Sequence, residues 1–91
     1  MAFDLETAEA FEKEYKKAVK KNSELKKAID RKVKQILNEP HRFKPMHAPL
    51  HGVRRVHIMK SFVLIYSIKE KENAVVLLKF GHHDSAYEFR Q

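Results

Sequence analysis

An α+β fold in the order strand, helix, helix and three strands is predicted by two changes of pattern along the chain. Up to residue 40 the apolar side chains recur three and four apart, the period of a helix. After Gly52 they gather into three short runs rich in Val, Ile, Leu and Phe, separated by short polar gaps. Short gaps make successive strands antiparallel neighbours. A twisted antiparallel sheet with the helical hairpin on one face buries both helix stripes and leaves the other face partly open. Ninety-one residues make one domain, 1–91, with a single core.

Residues 2–6 alternate apolar and acidic and predict a short first strand. From Thr7, placed as N-cap, Ala8, Phe11, Tyr15, Ala18 and Val19 fall on one face of a helix running from about residue 8 to about residue 21. Asn22-Ser23 breaks that pattern and caps a second helix, whose stripe is Leu25, Ala28, Ile29, Val33, Ile36 and Leu37. So tight a link predicts antiparallel helices. The lysines at 13, 16, 17, 20, 21, 26, 27, 32 and 34 mix with Glu and lie mostly off both stripes, the pattern of a solvated face. Pro40 stops the second helix. His41 to Pro49, with prolines also at 45 and 49, is expected to be irregular. Val53–Met59, Phe62–Lys69 and Ala74–Phe80 are the predicted strands, with Glu70-Lys71-Glu72-Asn73 as the hairpin turn of the last pair.

With 43% hydrophobic and 34% charged residues, the chain has enough apolar surface to fold. The absence of cysteine excludes disulfides, thiolate zinc sites and a cysteine nucleophile. Met1 to Glu6 lacks a basic-then-apolar leader, and no run approaches the ~18 apolar residues of a membrane span. A soluble cytoplasmic protein with no membrane partner is therefore expected. The net charge of +7 is uneven: ten basic against eight acidic residues up to Pro40, and nine against four beyond it. Such a surface attracts polyanions, with nucleic acid first and acidic protein surfaces second.

All six histidines lie in that more basic second half. Histidine titrates near neutrality, so a cluster of it can exchange protons at physiological pH. Strand alternation puts Val53, Arg55, His57 and Met59 on one face, and Arg54, Val56 and Ile58 on the other. If Val56 and Ile58 meet the helices, Arg55 and His57 stand together on the open face. The same parity groups Lys79 with Val75, Leu77 and Gly81, and with His83 where the strand continues, while His82 points the other way. Asp84 and Ser85 are placed to cap a short turn that returns Tyr87 over the sheet edge. His82-His83 lacks a further histidine at helical or hairpin spacing, so no metal site and no cofactor are expected.

Arg55-Val56-His57-Ile58, the run Phe62-Val63-Leu64-Ile65-Tyr66 and the ending Gly81-His82-His83-Asp84-x-x-Tyr87, in that element order, resemble the RelE/ParE superfamily of bacterial and archaeal toxins. The resemblance covers nearly the whole chain. Within it the pattern is most similar to the YafQ-type RNases, which pair an Arg-x-x-His strand, here Arg54 and His57, with a Leu-Ile-Tyr strand and a Gly-x-His ending, here His83. Val63 stands where many members carry arginine, and Ser61 replaces the YafQ-type carboxylate. The resemblance implies a RelE-like fold and a metal-independent endoribonuclease acting on ribosome-bound mRNA, neutralised by a cognate antitoxin. His57, His83 and Tyr87 are then the catalytic candidates. Arg54, Arg55 and Lys79 are candidates for the phosphate, and His47 and His51, flanking Pro49-Leu50, complete the RNA-binding set. A ParE-like toxin that binds DNA gyrase without cutting, or a degenerate toxin retaining only antitoxin binding, are the alternatives.

Overall fold

A computed structural model describes residues 3–45 and 52–82. Its elements are β1 (Asp4–Thr7), α1 (Glu9–Val19), α2 (Ser23–Asn38), β2 (Val53–Ile58), β3 (Phe62–Lys69) and β4 (Ala74–His82). The four strands form one sheet in the order β1-β4-β3-β2. The three later strands are antiparallel as expected, whereas β1 lies parallel to β4, with Asp4 opposite Ala74 and Thr7 opposite Leu77.

Local chemistry explains most element ends. Asn22 caps α2, its side-chain oxygen accepting from the Leu25 N–H at 3.0 Å. The expected cap at Thr7 is a correction. Ala8 occupies that position without a side-chain cap, and the Thr7 hydroxyl donates to Glu12 instead. Between β3 and β4, Glu70–Glu72 form one 3₁₀ turn, and Asn73 closes it at φ 52°. Asparagine tolerates that left-handed conformation better than most side chains. β2 ends one residue short of the expected Met59, which turns to φ 56°. β4 runs two residues past Phe80.

The core lies between the helices and one face of the sheet. Phe11, Leu25, Ile29 and Ile36 pack on Val56, Ile58, Leu64, Tyr66, Val75, Leu77 and Phe80. Burial of such side chains gives roughly 1.5–3 kcal/mol each, so this interface dominates stability. The far face is less open than alternation alone suggests. Val63 and Ile65 are fully buried there, with Val53 and Leu78 against them.

One irregularity changes the parity of β4. Ile65 pairs with Lys79 but Tyr66 pairs with Leu77, so Leu78 is an extra residue in the ladder. The bulge lets Leu77 and Phe80, three apart, both reach the helix-side core. Lys79 consequently does not share a face with Val75 and Leu77, which corrects the expected grouping.

Because β1 ends opposite Leu77, the outer edge of β4 beyond that point has no strand partner among the described residues. Glu14 of α1 covers it. One carboxylate oxygen accepts from the Phe80 backbone N–H at 2.9 Å, and the other meets the Lys79 ammonium at 2.9 Å. A half-buried N–H and a half-buried cation are thus satisfied by one side chain.

Glu14→Ala should lower the unfolding free energy by about 1–3 kcal/mol in urea titrations, the cost of an unmet buried donor. Glu14→Gln keeps an acceptor for the Phe80 N–H and should lose less. Equal losses in the two variants would show that the backbone bond contributes little.

Candidate functional site

β2 is the outer strand opposite β1, and its alternation decides which side chains meet the core. Val56 and Ile58 are buried against the helices. Arg55 and His57 therefore stand on the far face, Arg55 half-buried and His57 exposed. In the ladder Arg55 lies opposite Ile65 and His57 opposite Val63, so the pair adjoins the buried apolar floor of that face. Val63 also pairs with Gly81 across β4. His57 and Gly81 thus flank one residue of β3, two strand spacings or roughly 10 Å apart. His83 follows Gly81 by two positions, but it lies outside the described residues, as do His47, His51 and Tyr87.

The other sequence-named cations have different work. Arg54 points to the helix side, where its guanidinium donates to the carbonyls of Phe43 at 2.6 Å and His41 at 3.3 Å. It holds the chain leaving α2 and is not placed with Arg55. Lys79 is neutralised by Glu14 at 2.9 Å. Both cations thus have partners within the fold. His82 packs on Phe62, ring centroids 4.7 Å apart, on the side away from Gly81 and His57. His41 meets the Glu70 carboxylate at 2.8 Å.

The same region is braced from beneath. The Tyr66 hydroxyl, fully buried, donates to the Pro40 carbonyl at 2.6 Å. Burial pushes its pKa up to about 12, against a smaller opposing pull from Arg54. Lys44 accepts the Arg55 N–H at 3.2 Å and Pro45 bridges Arg54, so residues 44–45 run antiparallel beside β2. The segment that leads to His47 is thereby tied to the strand carrying Arg55 and His57.

Sequence reasoning missed Glu14, Pro40 and the bulge at Leu78. Glu14 had one visible signal, its place between Phe11 and Tyr15 at the border of the α1 stripe. The partner of Tyr66 is a backbone carbonyl, which no side-chain pattern reports.

Comparison with known proteins adds a second, independent line. A family model described as the ParE toxin of the type II toxin-antitoxin system, parDE, matches residues 5–87. RelE4 of Methanocaldococcus jannaschii is 35% identical over 86 residues, covering 94% of this chain and 92% of that protein. A protein of Methanosarcina mazei is 42% identical over 73 residues, 80% of this chain and 85% of its own length. The E. coli DinJ–YafQ complex superimposes with a TM-score of 0.78 at 20% identity, covering 93% of this chain and 98% of that one. At that identity the likeness is one of fold.

Tyr66→Phe should destabilise the chain at neutral pH by about 1–3 kcal/mol, because the Pro40 carbonyl loses its donor. The pH dependence carries a sign. A folded-state pKa raised from 10 to about 12 gives stability that is complete below pH 10 and lost as pH climbs to 12. Wild type should shed about 2–3 kcal/mol across that window beyond any loss in Tyr66→Phe. Parallel alkaline limbs in urea melts of the two proteins would disprove the account.

Proposed function

This chain belongs to the RelE/ParE toxin superfamily, and on that premise we propose that it is a type II toxin which cleaves ribosome-bound mRNA through the RNA's own 2′-hydroxyl. The observation that carries the proposal is Arg55 beside His57 on the sheet face away from the helices, across β3 from the strand end that leads to His83.

The reaction needs three services. A base removes the 2′-hydroxyl proton as that oxygen attacks phosphorus, a cation steadies the added charge, and an acid protonates the 5′-oxygen as its bond to phosphorus breaks. A 2′,3′-cyclic phosphate and a 5′-hydroxyl end result. His57 and His83 supply base and acid in one order or the other. Arg55 holds the phosphate, and Tyr87 donates a proton or stacks on a base. His47 and His51 belong to the same proposed RNA surface, whereas Arg54 and Lys79 act through the fold. The ribosome places the substrate, and the isolated chain cuts free RNA poorly.

A cognate antitoxin is the second proposed partner, in the cytoplasm, laying an apolar helix or strand on exposed sheet and helix surface. One fold neighbour of this chain is the E. coli DinJ–YafQ toxin-antitoxin complex, with a TM-score of 0.77. The family model, which describes ParE toxins, favours a second reading in which the chain binds DNA gyrase and cuts nothing. Fold kinship does not choose between the two.

A purified translation system separates them. Wild type should cut mRNA within codons, and His57→Ala and His83→Ala should each lower the rate about 10²–10⁴-fold at matched circular dichroism. Arg55→Ala should weaken both rate and RNA affinity. Uncut mRNA together with inhibited gyrase supercoiling would replace this reading with the ParE-like one.

A further inference from the structure

α2 and β2 enclose a groove of about 330 Å³, of which the proposed cleavage chemistry uses only His57. Ala28, Arg31, Lys32 and Gln35 line it from the helix, and His57, Ile58 and Met59 from the strand. A second hollow of about 270 Å³ continues it through Ala28, Arg31 and Met59 to Lys27 and Glu24. The two together make a channel that starts at His57 and follows the helix toward its N-terminus.

The channel selects an anion. Its lining has three cations, Lys27, Arg31 and Lys32, against a single carboxylate, Glu24, at the far end. Neighbouring Lys26 is paired with Asp30 at 2.9 Å, while neither Lys27 nor Arg31 makes an ion pair among the described residues. Lys27 and Arg31 are four residues apart, so they sit on one helix face about 6 Å apart along the axis. Lys32 is steadied over the Phe43 ring at 5.7 Å. Ala28 keeps the floor low between them, and Gln35 adds an amide donor nearer His57. Met59, held at φ 56° and 53% exposed, forms an apolar lip. A row of cations with an apolar edge suits a chain of phosphates carrying flat bases.

We propose that this groove binds the backbone of single-stranded RNA, with Lys27 and Arg31 as phosphate ligands, as an extension of the site at His57. The proposal rests on RNA being the substrate of that site. An acidic protein segment would use the same charge but would not need a channel that opens on His57. The strand runs past His57, enters beside Gln35 and leaves between Lys27 and Arg31. These two residues are therefore binding groups and take no part in proton transfer.

The test is fluorescence anisotropy with a short 2′-O-methyl oligoribonucleotide, which lacks the attacking hydroxyl and so reports binding alone. Lys27→Gln with Arg31→Gln should weaken binding about tenfold. It should also lower the slope of log affinity against log salt by about 1.4, since each phosphate contact on a single strand contributes ~0.7. Lys13→Gln with Lys17→Gln removes the same charge from exposed positions of α1 and should change affinity less than twofold. Equal losses in the two double variants would overturn the groove, as would undetectable binding by wild type. Competition by polyglutamate as effective as by RNA would also overturn it, in favour of an acidic protein. Cleavage is a separate readout: binding that depends on Lys27 and Arg31 without any cutting by wild type would uphold the groove and sink the nuclease.

Discussion

The bond from the Tyr66 hydroxyl to the Pro40 carbonyl fixes how the helical half of the chain meets the strand half. Pro40 cannot continue α2, and its carbonyl is buried where water cannot satisfy it. Tyr66, in the middle of β3, supplies the donor. Arg54, its ladder partner on β2, then takes the next two available carbonyls, at His41 and Phe43. Three consecutive features of the sequence, a helix stop, an irregular run and an outer strand, are thereby locked to the central strand. Arg55 and His57 inherit their direction from that lock. If Arg54 is held on the helix side, its successor must face away.

How much of this was legible follows from whether the signal was periodic. The helix stripes, the Asn22 cap and the alternation that separates Val56 and Ile58 from Arg55 and His57 are all periodic or local, and each is found where the pattern put it. Lys79 was misplaced because a bulge at Leu78 inserts one residue into the ladder, and alternation carries no warning of an insertion. Thr7 was a sound cap by residue type, yet the helix begins later, at Glu9, and its hydroxyl turns to Glu12. Arg54 was correctly set on the face opposite Arg55, but its contact with the Phe43 and His41 carbonyls is to backbone, which no side-chain pattern reports. Of the candidate site, the half carried by β2 is in place, while His47, His51, His83 and Tyr87 lie outside the described residues.

The charge pattern also gains meaning in three dimensions. In one dimension the α2 lysines are a mixed, solvated face. In the folded chain Lys26, Lys69 and Lys79 have carboxylate partners, and Lys32 has an aromatic one. The cations left over on α2 include those beside the strand that carries His57. Net charge draws a polyanion toward the surface in general, but only this sorting of paired from unpaired cations gives it a direction.

The parallel pairing of β1 with β4 joins residues 4–7 to residues 74–77. Seventy positions separate the residues of each pair, and closing so long a loop is slow compared with the local folding of the hairpins. During synthesis β1 and the two helices emerge before the other three strands, so the helices' apolar faces wait for β2, β3 and β4. The sheet that carries Arg55 and His57 is therefore completed only once β4 has been made.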